Sequence, residues 1–233
     1  MAATAIVTGG TGGLGAAVVT RLLDDGWRVV VPWVVEHERE RVRQRDGLEL
    51  VQADLFDASA VQSVVETAVA AAGSSGAPLR GVVNLVGGFA MGARVHETPI
   101  EEFEKQFRLN LRPTYLVCAA SVPHLLAGGG GSIVCVGTRA ALQPFSGAAG
   151  YIASKAAVIA FAQALAAEYK NDGIRCNAIL PSVIDTPANR ASMPKADFEK
   201  WVKPAEIAGV IAHLLSDDSR PTSGAAVPVY GRA

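Results

Sequence analysis

Tyr151 and Lys155 are four residues apart in a stretch with helical periodicity, so both side chains share one helix face. A phenol beside an ammonium is a means of moving a proton. A phenol exchanges protons poorly near neutral pH unless its pKa falls from its ordinary value of about 10. Bringing it to about 7 requires roughly 4 kcal/mol of preference for the phenolate. One ammonium at ~4 Å with an effective dielectric of about 20 supplies energy of that order. Thr138 precedes Tyr151 by thirteen residues and follows an apolar strand pattern. Taken alone, its hydroxyl reads as a turn residue capping its own backbone. Next to Tyr151 and Lys155 it is a candidate donor to a substrate heteroatom that gains negative charge.

A second motif lies near the N-terminus. Thr8-Gly9-Gly10-Thr11-Gly12-Gly13-Leu14-Gly15 joins an apolar strand pattern to a helical one. Gly9, Gly13 and Gly15 permit close backbone approach to a ligand, and the following helix N-terminus attracts a pyrophosphate. Such a pattern alone is weak evidence, but its place between a first strand and a helix makes it specific. Dinucleotide folds commonly close the second strand with an acid that holds the adenosine ribose. Here that strand ends Val31-Pro32-Trp33-Val34-Val35, without a carboxylate. Arg39, Arg41 and Arg43 follow; they can reach a phosphate or form a solvated helix face. The cofactor is expected to be NADP or NAD, with a lean to NADP.

These residues need a scaffold. Strand patterns occur at 5–8, 28–31, 48–52, 81–86, 132–136, 174–180 and 226–230. Helical patterns occur at 12–25, 58–72, 150–170 and 204–216, and 100–126 reads as two helices interrupted at Pro113. The alternation predicts an α/β fold: a Rossmann-type, doubly wound parallel sheet of about seven strands with helices on both faces. One domain is expected over 1–233, because no composition break or repeat divides it. Residues 181–204, with four prolines, read as an irregular substrate lid.

Composition excludes other classes. Lys plus Arg number 21 against 22 Asp plus Glu, so no basic surface points to nucleic acid or a membrane. No run reaches ~18 uninterrupted apolar residues, and the first residues lack a signal-peptide pattern; a cytoplasmic location is expected. Cys118, Cys135 and Cys176 are far apart and read as reduced, buried thiols. His37, His96, His124 and His213 lack metal-ligand spacing and no Gly-x-Ser-x-Gly elbow occurs, so neither a metal site nor a hydrolase is expected.

Taken together the motifs resemble the short-chain dehydrogenase/reductase family across nearly the whole chain. The matching pieces are the 8–15 turn, Asp54 after the third strand, Asn84-Leu85-Val86-Gly87, Asn110, Thr138, Tyr151 with Lys155, and 181–186. The resemblance implies a nicotinamide-dependent oxidoreductase acting on a carbonyl or quinonoid small molecule. It gives Tyr151 as the acid, Thr138 in the place of the family serine, and Asn110 as support for a relay water and the lysine. It puts Gly9, Thr11, Gly13, Leu14, Gly15, Trp33, Asp54, Leu55, Asn84, Gly87, Tyr151, Lys155, Pro181, Ile184 and Thr186 against the cofactor. A homodimer or homotetramer is implied as well, and the alanines along the Tyr151 helix suit close helix approach.

A narrower likeness, carried mainly by residues 185–198, is to quinoid dihydropteridine reductases. That group has Asp where this chain has Trp33 and Ala where it has Thr138. A dinucleotide-binding sensor without turnover is the alternative from another class. Intact Tyr151, Lys155 and Asn110, with a hydroxyl at 138, argue against it.

Overall fold

A computed structural model describes residues 3–232, so residues 1, 2 and 233 of the expected domain lie outside the described residues. In chain order the elements are β1 (Thr4–Thr8), α1 (Gly15–Asp24), β2 (Arg28–Trp33), β3 (Leu48–Gln52), α2 (Ala58–Ser75), β4 (Leu79–Asn84) and α3 (Ile100–Asn110). Then follow α4 (Arg112–Ala127), β5 (Gly131–Val136), α5 (Ala149–Glu168), β6 (Ile174–Pro181), α6 (Pro187–Ser192), α7 (Pro204–Leu215) and β7 (Ala226–Val229).

The seven strands form one sheet in the order β3-β2-β1-β4-β5-β6-β7, and every pairing is parallel. Successive side chains of a strand face opposite ways, and β1 shows why both faces must be covered. Ile6 joins the apolar layer with Val64, Val65, Val117 and Val158. Ala5 and Val7 join Val18, Leu22, Ile207 and Ile211 on the other side. Helices α2, α4 and α5 therefore close one face, and α1 and α7 the other. Each fully buried Val, Leu or Ile contributes about 1.5–3 kcal/mol relative to exposure.

Strand order reverses direction between β1 and β4. The carboxyl ends of the strands there open onto a crevice, the usual ligand position in open parallel sheets. Residues that follow β1, β4, β5 and β6 all emerge along this edge.

Several boundaries depart from the sequence expectation. The first helix begins at Gly15, because 9–14 coil as a turn with Gly12 N–H donating to Gly9 O at 3.0 Å. β2 runs through Pro32 to Trp33; pairing to β1 has already ended at Val30, so the missing N–H costs no bond on that side. β4 stops at Asn84, two residues short of the expected end, and Leu85 N–H turns back to the Thr8 hydroxyl at 3.1 Å. The segment 181–204 is not wholly irregular. It carries α6, a 3₁₀ turn at Phe198–Lys200, and a strand-like bridge between Ile184 and Val202.

Helix α5 is long and apolar enough to cross a membrane by length and composition, with mean hydropathy 1.4. Its apolarity has another source. It packs against β5, β6 and α3 and buries Val158, Ile159, Ala162, Leu165 and Ala166, as the central helix of an α/β core does.

Candidate active site

The glycine turn is shaped by contacts no side chain could make. A Cβ on Gly15 would stand 2.0 Å from Gly9 O, and one on Gly10 would stand 2.6 Å from a Val31 methyl. Gly9 has φ +65°, a conformation that favours glycine. Gly13 is exposed and faces Thr186: a Cβ there would lie 3.1 Å from the Thr186 methyl. The turn thus lies close against the start of α6, with bare backbone facing Thr186. Bare backbone at a helix N-terminus is the kind of surface that takes a pyrophosphate. Leu14 caps α1 in helical conformation and packs against the α1/α7 layer, so it offers only its backbone.

At the outer end, Trp33 closes β2 and the Arg39 guanidinium lies 4.6 Å over its ring. The 3₁₀ turn Glu36–Arg41 folds back onto Thr11. Thr11 donates to Glu38 Oε2 at 3.4 Å, and Arg41 bonds Glu38 Oε1 at 2.9 Å and Thr11 O at 3.4 Å. Arg39 and Arg41 therefore gather against Trp33 and Thr11 as well as meeting solvent. Asp54 is exposed just beyond β3, with its carboxylate accepting from Phe56 N–H at 2.9 Å. Leu55 is buried in the core, which leaves its backbone alone for a ligand.

The centre of the crevice is tightly built. Asn110 ends α3 and is fully buried. Its Oδ1 accepts from Gly88 N–H at 2.9 Å and its Nδ2 donates to Ser154 Oγ at 3.0 Å. Ser154 Oγ donates in turn to Tyr151 O at 2.8 Å. A Cβ on Gly87 would stand 2.6 Å from Asn110 Oδ1 and 2.9 Å from Lys155 Nζ. Bare backbone at 87 is thus required for the loop to reach the lysine. Both ends of the Asn110 carboxamide are engaged, so it positions the loop and α5.

Asn84 departs from the expectation that it lines the cofactor. Its side chain is buried, with Nδ2 3.3 Å from Cys118 Sγ and 3.9 Å from Cys135 Sγ. β4 ends at this residue with its side chain turned into the core, so the crevice is lined by 85–88 instead. All three cysteines are free and buried, as expected. Among the described residues no His, Cys, Asp or Glu group can hold a metal ion.

Tyr151 and Thr138 come together, close enough for the Thr138 hydroxyl to favour the phenolate form of Tyr151. Thr138 also caps its own turn, accepting from Ala140 N–H at 3.3 Å, so the capping reading holds. Lys155 is 6% exposed, and its Nζ donates to Val136 O at 2.9 Å. Burial pulls the ammonium down to about 8, opposed by the neighbouring Cys135. Burial pushes the Tyr151 phenol above its ordinary value, and the Thr138 hydroxyl opposes that shift. The expectation that the lysine draws the phenol towards neutral is thus reversed, because desolvation is the largest effect on Tyr151.

Pro181 ends β6, buried. Ile184 O accepts from Asn189 Nδ2 at 2.8 Å and from Thr186 N–H at 2.9 Å, and Thr186 caps α6 through Asn189 N–H at 3.3 Å. Asp185 and Arg190 form a two-pronged ion pair, 2.5 and 2.8 Å, with Arg190 stacked 4.7 Å over Phe198. The expected lid is thus a braced strap facing the glycine turn.

Two aromatic residues complete the site. Phe89 meets the Tyr151 ring edge-on, 4.9 Å between centroids, and lies 6.4 Å from Phe145. Neither carries a motif for a catalytic role; each stands a few residues beyond a recognised one, after Gly87 and Thr138.

The residues present fit a nicotinamide dinucleotide. The bare backbone at Gly13, the exposed Asp54 and the Gly87–Lys155–Tyr151 cluster lie on the segments that follow β1, β3, β4 and β5.

Comparison with known proteins agrees. Residues 3–197 match the short chain dehydrogenase family. The chain is 32% identical to 2-(R)-hydroxypropyl-CoM dehydrogenase of Xanthobacter autotrophicus, covering 99% of this chain and 98% of that protein. It is 30% identical to the 3-oxoacyl-[acyl-carrier-protein] reductase MabA of Mycobacterium bovis, over 97% and 90%. A solved short chain dehydrogenase/reductase family protein superposes with a TM-score of 0.85 at 29% identity, covering 98% of this chain and 96% of that one. The fold is also that of ElxO solved with NADP bound, TM-score 0.89 at 22% identity, over 99% and 98%. The narrower likeness to quinoid dihydropteridine reductase gains no support from these relatives. The chain belongs to the short-chain dehydrogenase/reductase family, and is an NAD(P)-dependent oxidoreductase.

Proposed function

We propose that this protein uses NADPH to reduce the carbonyl of a small, uncharged molecule, with Tyr151 giving the proton. The observation that carries this reading is the convergence of the Tyr151 phenol and the Thr138 hydroxyl on one wall of the crevice, with Lys155 buried behind them. A bound nicotinamide supplies the hydride. The remaining steps belong to the chain. Thr138 Oγ1 donates to the carbonyl oxygen as negative charge grows there. Tyr151 Oη delivers its proton to the same oxygen. Burial keeps the phenol protonated across the neutral range, which suits an acid. Lys155, fixed by Val136 O, compensates the phenolate left behind. Phe89 restrains the phenol ring by its edge contact.

The lean to NADP rests on the adenosine end. No carboxylate closes β2, and the acids that follow it, Glu36 and Glu38, are already paired with Arg39 and Arg41. Arg39 Nε is shielded from solvent and has no partner within the protein; a 2′-phosphate oxygen would satisfy it. We also propose that the protein is at least a dimer, through the exposed face of α4 and α5. Tyr115 is 55% exposed there and lies 5.8 Å from the Phe161 ring. The exposed Ala160 and Ala164 leave room for close approach of a second helix.

Four outcomes are expected. Tyr151→Phe should lower kcat for reduction by about 10²–10⁴-fold, the usual contribution of a positioned acid; steady-state turnover close to the parent value would refute the role. The active forms of Tyr151 and Lys155 in this direction are both protonated, and Lys155 loses its proton at about 8. Reduction should therefore hold steady below that pH and decline above it, and a profile rising through pH 8 contradicts the scheme. Arg39→Ala and Arg41→Ala should each reduce kcat/KM for NADPH by roughly 10–100-fold, the scale of a charged hydrogen bond. Parallel NADH assays should show little change; equal losses with both coenzymes would remove the arginines from the 2′-phosphate. Light scattering should give a mass at least double the 24.1 kDa of one chain, and a single-chain mass disproves the interface.

A further inference from the structure

A cavity of about 520 Å³ opens beside the active site, between the loop 90–99, the start of α3 and residues 147–151. That volume is in the range of small-molecule sites. Met91, Val95, Pro99, Ile100 and Phe103 give it apolar walls, and Tyr151 lines it too. Its loop is not slack: Gly92 N–H donates to Gly147 O at 2.8 Å. A Cβ on Gly147 would stand 2.7 Å from Gly92 O, so the two segments close directly on each other.

One polar group in this cavity is unexplained. Gln106, one helical turn before Asn110, is 5% exposed and lines the cavity. Its Oε1 is shielded from solvent and has no hydrogen-bond partner in the protein. Buried polar atoms are ordinarily paired, and an orphan at a cavity wall calls for a ligand or water. The side-chain stem is packed against the first turn of α5, its Cγ 3.2 Å from the position of a Cβ on Gly150. The other charged or polar side chains lining the cavity are Thr98, Glu102 and Tyr151, and no Lys, Arg or His is among them. The one charged side chain is a carboxylate, and nothing there balances an anion. A carboxylate, sulfonate or phosphate would enter without a counter-charge and against Glu102.

We propose that this cavity is the distal substrate subsite, taking an uncharged, largely apolar body that carries a hydroxyl or N–H donor read by Gln106 Oε1. The proposal rests on the carbonyl-reductase reading, since it assumes that the reacting carbonyl is held at Tyr151. It names a class: apolar ketones or aldehydes with a donor group remote from the carbonyl. It makes Gln106 a specificity-determining residue.

The test uses three matched ketones: 4-phenylbutan-2-one, 4-(4-hydroxyphenyl)butan-2-one, which adds a donor, and 4-(4-methoxyphenyl)butan-2-one, which adds only an acceptor. Calorimetry on the full chain saturated with NADP⁺ gives their affinities, and NADPH oxidation gives turnover. The hydroxylated ketone should bind about tenfold tighter than the other two, the scale of one well-made hydrogen bond. Gln106→Leu should collapse that preference. Gln106→Met, unbranched and of similar length, should do the same and guards against a folding defect in the leucine variant. Equal affinities in the parent protein, or a preference that survives both substitutions, overturns the subsite. Preference lost on substitution, with none of the ketones reduced, leaves the subsite standing and removes the reductase reading. Reduction of all three without preference does the reverse.

Discussion

The Asn110 carboxamide is the joint on which the site depends. An amide taken out of water without partners costs roughly 2–7 kcal/mol, and Asn110 avoids this by bonding at both ends. One end holds Gly88 and the other holds Ser154. Those bonds draw the loop after β4 against α5 until only hydrogen fits at Gly87. Ser154 carries the restraint to the main chain of Tyr151. Three separate stretches of chain are thus locked by one side chain that itself faces no substrate. The end of α3 at Asn110 follows from the same requirement: the next helix starts afresh at Arg112, with Pro113 in its first turn, where a missing N–H is harmless.

Electrostatics in this enclosure are governed by desolvation more than by mutual attraction. Lys155 is drawn down and Tyr151 is pushed up, each towards its neutral form. A protonated, reluctant phenol suits delivery of a proton to a growing alkoxide, a much stronger base than water at neutral pH. The same burial disfavours phenolate afterwards, so in the proposed reduction the ammonium behind it acts on the product side of the step. The proposed scheme thus uses the phenol first and the charge second.

Much of the fold was legible because its signals are local. β3 runs from Leu48 to Gln52, as its alternation predicts, and the break between α3 and α4 falls at Leu111, two residues before Pro113. Motifs rich in glycine were legible for the same reason, since Gly9 and Gly15 are demanded by their own turn. Features made by distant segments were not. Nothing local tells that Asn84 turns to Cys118, 34 positions away, or that the run Glu36–Arg41 folds back on Thr11. Gln106 gives no signal at all in sequence; a polar residue on a charged helix reads as a solvated face until the packing of α3 on α5 buries it.

This division follows the two ends of the ligand path. The coenzyme end is held by backbone, where chemistry constrains residue type: a Cβ on Gly15 would overlap Gly9 O, and one on Gly87 would crowd Lys155. Motif and geometry therefore coincide there. The other end is held by side chains from loops that differ in length and contact, with Phe89, Phe145 and Met91 exposed on its rim. Apolar walls constrain volume and polarity but not order in the sequence, because many residues fill the same space. A lone acceptor such as Gln106 Oε1 then carries more information about the substrate than the whole apolar lining, since an unpaired buried acceptor discriminates among ligands more sharply than an apolar wall does.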